Sequence, residues 1–145
     1  MSKSPRKLVI TRLLKHDRAK VFAALTDPAK MADWFYGMET GQAKVTVDLR
    51  LGGHYVIEMS NAAGEKHKPH GTYLEIVPPE KLVFTWSSEG FVTDSKVTVE
   101  LFERNEGTEL VLTHELPEDM VEPHRQGWTS CLLHLESYLG SETKN

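Results

Sequence analysis

Residues 119–139 read DMVEPHRQGWTSCLLHLESYL, and how they fold decides the architecture of the whole chain. At helical spacing Trp128, Leu132, Leu135 and Leu139 stack on one stripe with Cys131 and Tyr138 beside it, while Thr129, Ser130, Glu136 and Ser137 face elsewhere. The run predicts one long amphipathic helix. Gly127 sits next to Trp128, and its missing side chain is expected to let the helix approach its partner closely. Everything upstream, after a short helical opening, alternates with the period of strands, so the only large apolar partner for this stripe is the face of a sheet. The expectation is an α+β protein in which a curved sheet wraps a C-terminal helix and leaves a cavity between them.

Working outward from the helix, the preceding strands announce themselves by alternation. Leu110, Leu112 and His114 alternate before Pro117, and Asn105-Glu106-Gly107 makes a tight turn back to Val97, Val99 and Leu101. Leu82, Phe84 and Trp86 form the strand before that, and Pro78-Pro79 stops a strand spanning about residues 67–77. Residues 61–65 make a further turn, and Val45 and Val47 pair with Tyr55, Ile57 and Met59 through a hairpin at Leu51-Gly52-Gly53. There the glycines are expected to supply backbone angles other residues resist, so Gly53→Val should be damaging. Residues 8–14 read as the first strand, with its face ambiguous because Leu13 and Leu14 are adjacent. Two short helices follow it. Asp17 caps the first, which carries Val21, Phe22 and Leu25, and Pro28 opens the second, which carries Met31, Trp34 and Phe35. Successive hairpins imply an antiparallel meander with one dry face.

A chain of 145 residues buries one good core, so residues 8–139 are expected to form a single domain with polar ends at 1–7 and 140–145. Seventeen basic against 21 acidic residues give a net charge of -4, which leaves no basic footprint for nucleic acid. No apolar run approaches the roughly 20 residues of a membrane span. The opening residues lack the apolar core of a signal peptide and Cys131 is the only cysteine, so a cytoplasmic location is expected and an internal disulfide is not.

Several local strings, taken in order, resemble a known superfamily. They are Val21 with Leu25-Thr26-Asp27-Pro28, Trp34, Gly52-Gly53, Gly71, the string EIVPPEKL at 75–82, Thr85-Trp86, Leu112-Thr113-His114, and Gly127-Trp128 with Leu132, Leu135 and Leu139. Together they resemble the helix-grip superfamily, START-like or polyketide-cyclase-like, and within it the bacterial proteins named after the activator of heat-shock protein 90 ATPase. The resemblance implies a seven-stranded curved antiparallel sheet gripping the C-terminal helix around a mainly hydrophobic cavity. It implies no single chemistry, because the superfamily includes lipid carriers, polyketide cyclases and co-chaperone domains.

If Tyr55, Ile57, Met59, Phe84, Trp86, Val97, Val99, Leu110, Leu112 and His114 point inward, with Trp128 and Leu132 opposite, they line a pocket for a small hydrophobic or amphipathic molecule; the alternative is that they fill a solid core. Trp34, Tyr36 and Met38 stand at the pocket mouth or cap the sheet. His114 is the one inward polar residue, either a hydrogen-bonding point for a ligand or a buried histidine held by its neighbours. His67, His70 and His54 are too scattered over strand faces to share a metal, and no cofactor is expected. Cys131 and His134 stand one helical turn apart, but an apolar-stripe cysteine reads as packing, and Glu58 and Glu75 read as surface carboxylates; no catalytic residue is assigned. The functional expectation is therefore a carrier or sensor of a small apolar molecule. A cyclase or aromatase using His114, and co-chaperone contact with a heat-shock protein 90 ATPase, are the alternatives.

Overall fold

A computed structural model describes residues 5–35, 42–60, 64, 66–89 and 92–143. Strand β1 (Pro5–Leu14) is followed by helices α1 (Arg18–Thr26) and α2 (Pro28–Trp34). Asp17 accepts from the Lys20 N–H at 2.8 Å and Asp27 from the Ala29 N–H at 2.9 Å. Each carboxylate so satisfies an orphan donor at a helix start, and Pro28 occupies a position whose N–H needs no partner. Strands β2 (Gln42–Val47), β3 (His54–Ser60), β4 (Lys66–His67), β5 (His70–Val77), β6 (Lys81–Ser88), β7 (Val92–Arg104) and β8 (Gly107–Pro117) then lead into a 3-10 turn at Glu118–Met120 and the long helix α3 (Val121–Thr143).

The strands form one antiparallel sheet in the order β1-β8-β7-β6-β5-β3-β2, with the two-residue β4 beside β3 as an eighth strand. Seven strands were expected, and the difference lies in the single strand foreseen over residues 67–77. Lys68-Pro69 breaks it in two, and Pro69 has no N–H for a ladder, while its carbonyl accepts from the Ile57 N–H at 2.9 Å. Register places the apolar residues in rows across the strands: Ile10, Leu112, Val99 and Leu82 are successive partners, as are Leu8, His114, Val97 and Phe84. Leu14 is buried and Leu13 exposed, which resolves the face of β1.

Helix α3 lays Trp128, Leu132, Leu135 and Leu139 onto this dry face, all buried with Cys131. Two glycine expectations change. The positive φ at the β2–β3 turn belongs to Gly52, at 78°, whereas Gly53 is required because a Cβ there would overlap the Asp48 carbonyl oxygen. At Gly127 an added Cβ meets nothing within 4 Å, so the glycine opens a space beside the helix rather than letting it approach the sheet.

Candidate functional site

At one end of the grip, aromatic rings from three elements meet. Phe35, following α2, stacks on Trp86 of β6 with centroids 5.9 Å apart and meets Trp128 of α3 edge-on at 5.7 Å; Trp86 and Trp128 are 5.0 Å apart. A bulge sets Trp86 in place. The β6–β7 pairing shifts between Trp86 and Ser88, Asp94 takes a positive φ of 50°, and its N–H donates to Ser87 Oγ at 2.8 Å. Trp86 and Ser87 are consequently both buried, and the strand twists at the sheet's rim.

Behind the rings lies His114, fully buried. Trp128 Nε1–H donates to His114 Nδ1 at 3.0 Å, which makes Nδ1 the unprotonated nitrogen. Nε2 then carries the proton and donates to Ser95 Oγ at 2.7 Å, and the Ser95 hydroxyl donates to the Trp86 carbonyl at 2.6 Å. Burial, assisted by His124 beside it, pushes the imidazole down to about 3, so the ring is neutral and tied to both β-strands and α3. Of the two readings of His114, this geometry matches the buried histidine held by its neighbours.

Two spaces border the rings. The inner one, between sheet and helix, measures about 30 Å³, room for about one or two water molecules. Of the residues read as a pocket wall or its mouth, Trp34, Tyr55, Ile57, Phe84, Trp86, Val99, Leu110, Leu112, Trp128 and Leu132 border it, together with Leu25, Met31, Phe35, Tyr73 and Leu82. Burial raises the Tyr55 phenol well above its ordinary value, with Tyr73 adding to the effect, and takes Tyr73 to about 12; the Tyr55 hydroxyl donates to the Thr85 carbonyl at 2.6 Å. The inner wall thus stays uncharged. Most of the residues read as a pocket lining face one another across a nearly filled interior.

The outer space is a cleft of about 170 Å³ between the rim of the sheet and the first turns of α3. Phe35, Trp86 and Trp128 form its floor, Met59, His67, Pro69 and Ser88 one side, and Pro123, His124, Gly127 and Cys131 the other. No lysine, arginine, aspartate or glutamate is among these lining residues. The Cys131 thiol is pushed up to about 12 by burial, which makes it a packing group rather than a nucleophile.

Val97 and His114 border neither space, and Tyr36 and Met38 lie outside the described residues. Phe35 and Gly127 carry the cleft without having been singled out as site residues. A signal for Gly127 was present, a glycine one position before an aromatic in a helical run, but only coordinates show that it faces open space. Elsewhere, Glu58 pairs with Lys68 at 3.9 Å in an exposed pair and Glu75 with Lys81 at 3.4 Å in a half-buried one. His54 Nδ1 meets Thr72 Oγ1 at 3.0 Å, and among the described residues no three histidine, cysteine or carboxylate side chains stand close enough to hold a metal ion.

One polar atom in the aromatic cluster is left over. Trp34 Nε1–H donates to the Ala24 carbonyl at 2.9 Å and Trp128 Nε1–H to His114, whereas Trp86 Nε1, also buried, has no acceptor among the described residues.

Comparison with known proteins adds the following. The sequence model of the family described as activator of Hsp90 ATPase homolog 1-like protein matches residues 15–140. The fold is similar to the crystal structure of protein CV1439 from Chromobacterium violaceum, at 29% identity over 92% of this chain and 96% of that one, with a TM-score of 0.84. It is similar as well to an uncharacterised protein from Rhizobium leguminosarum, at 28% identity over 97% of each chain and a TM-score of 0.83. The solution structure of an AHSA1-like protein from Aeromonas hydrophila shares the fold at 20% identity, covering 95% of this chain and 94% of that one, with a TM-score of 0.85. No curated protein matches this sequence.

Proposed function

We propose that this chain, which belongs to the activator of Hsp90 ATPase homolog 1-like family, is a binding module for a small, neutral, largely apolar molecule seated in the rim cleft. The observation that carries the reading is the cleft itself, a mainly apolar space floored by Phe35, Trp86 and Trp128 and lined, among the described residues, by no lysine, arginine or carboxylate. An ion brought there would lose hydration with only His67, Ser88 and His124 as polar side chains among the described lining residues to replace it. A neutral ring gains apolar burial and ring contacts. The volume supports a modest occupant: an enclosed cavity of ~150 Å³ takes up benzene, so a cleft of about 170 Å³ seats about one ring, with the rest of a larger molecule left toward solvent.

A carrier or sensor role in the cytoplasm fits this better than proton-transfer catalysis. His114 has both ring nitrogens engaged by Ser95 and Trp128, and Cys131 holds its proton, so neither is poised to move a proton for a substrate. Among the described residues no helix is long and apolar enough to cross a membrane. Native mass spectrometry of the protein isolated from its own host is the test. The expected result is a fraction of the protein carrying one small molecule that collisional activation releases as a neutral. A cofactor-like anion retained under the same conditions, or release only on unfolding, contradicts a neutral occupant of an open cleft.

A further inference from the structure

Resting on the cleft reading above, the open polar atoms along the cleft say what functional group its occupant carries. Among the described residues, three polar side chains line it, His67, Ser88 and His124. His124, half-buried near the start of α3, is the one whose hydrogen-bonding sense is fixed. Its Nδ1–H donates to the Met120 carbonyl at 2.9 Å, since a carbonyl only accepts. In the neutral ring the other nitrogen, Nε2, then carries a lone pair and no proton. Nε2 has no partner among the described residues and, unlike the enclosed Trp86 nitrogen, keeps surface open to solvent. The His114 ring stands perpendicular to that of His124, with centroids 5.1 Å apart. Neither Met120 nor His114 borders the cleft, whereas His124 does. The sides of the ring that those two residues cover are thus turned from the cleft, and its uncovered side meets it. The Ser88 hydroxyl is open in the same way, but a hydroxyl both donates and accepts and so discriminates little.

We propose that His124 is the specificity-determining residue of the cleft, and that the natural occupant is a neutral ring-bearing molecule with a hydroxyl of the phenol or alcohol type, whose O–H donates to His124 Nε2. Aromatic surface supplies most of the affinity. An occupant covers Nε2 and takes it from water, which is costly unless a donor replaces the water. A hydrocarbon offers no donor, and an ether or ketone oxygen sets lone pair against lone pair, so the imidazole selects molecules that bring an O–H.

The experiment uses three neutral probes, 2-naphthol, 2-methylnaphthalene and 2-methoxynaphthalene, which set a hydroxyl against a methyl group of similar size and against an oxygen that only accepts. Affinities are measured for the wild type, His124→Phe and Ser88→Ala. Because methyl is the more apolar group, the readout is the ratio of 2-naphthol to 2-methylnaphthalene affinity in each protein. That ratio is expected to be about two- to tenfold larger in the wild type than in His124→Phe, the value of one neutral hydrogen bond, and to keep its wild-type value in Ser88→Ala. The ratio for 2-methoxynaphthalene should be the same in wild type and His124→Phe. In a ¹⁵N-labelled wild-type sample the His124 Nε2 signal, assigned through the ring's own protons, moves with 2-naphthol and not with 2-methylnaphthalene; should His124→Phe fold poorly, this spectrum decides. An unchanged 2-naphthol ratio in His124→Phe, or an Nε2 signal that responds alike to both probes, overturns the assignment while leaving the cleft in place. Loss of the preference in Ser88→Ala, or a 2-methoxynaphthalene ratio that falls together with that of 2-naphthol in His124→Phe, overturns it too. If no probe binds the wild type, the cleft reading itself fails and the assignment with it.

Discussion

His114 shows how one side chain is fixed by what surrounds it. Its ring accepts from Trp128 and donates to Ser95, an arrangement only the neutral imidazole can make. The imidazole titrates near 6.5 in the unfolded chain and near 3 in the fold. Between those values the unfolded chain binds the additional proton, so stability stands at its plateau above pH 6.5 and falls as the solution is acidified, by up to ~1.4 kcal/mol per pH unit. Denaturant melts of the wild type against His114→Gln between pH 4 and 7 should show the shallower acid limb in the variant; parallel limbs would mean that His114 titrates normally. Gly53 is fixed by contact rather than by backbone angle. Gly53→Val drives Cβ into the Asp48 carbonyl and is expected to lower the melting temperature strongly, whereas Gly64→Ala, at a site with open space around it but a positive φ of 84°, should cost only about 1 kcal/mol of local strain.

At the scale of elements, the long helix is both the spine of the core and one wall of the cleft; Trp128 serves both, and Gly127 beside it only the cleft. Trp128 is buried against Phe35 and Trp86 and holds His114. Trp128→Ala is expected to cost about 3 to 5 kcal/mol by equilibrium denaturation, since rings from three elements cannot close the void together; a midpoint equal to the parent's would remove Trp128 from the core. Gly127 faces open space, so Gly127→Ala should stabilise the protein by about 0.5 to 1 kcal/mol through helix propensity alone. Helix, hairpins and strand faces were legible beforehand because each is a local pattern. Leu110, Leu112 and His114 show their common face in the alternation itself. Three things were not legible. The break at Pro69 depends on which strand edge accepts it, the commitment of His114 on the Trp128 indole of α3 and the Ser95 hydroxyl of β7, and the cleft on the absence of an atom beside Gly127. Such features arise from the distance between elements, about which spacing along the chain is silent.

At the scale of the molecule, the sheet runs from β1 to β2 without a parallel crossover and grips α3 so closely that the interior retains little space. Close packing is the ordinary state of a protein core, and it shifts attention from the middle of the grip to its rim, where the β6–β7 bulge, the end of α2 and the start of α3 leave the cleft. Blocking that cleft while sparing the core is possible at one position. Helical side chains lean toward the preceding turn, so in Gly127→Leu the added branch covers Pro123 and His124, both of which line the cleft. The most direct measurement is calorimetric titration of the neutral fluorophore N-phenyl-1-naphthylamine into the wild type and Gly127→Leu at several temperatures and two salt concentrations. The expected result is saturable one-to-one binding to the wild type, with a negative heat-capacity change and no dependence on salt, and binding at least tenfold weaker in a variant that melts no lower than its parent. Equal binding by the two proteins, or none by either, would contradict a ligand site in the cleft.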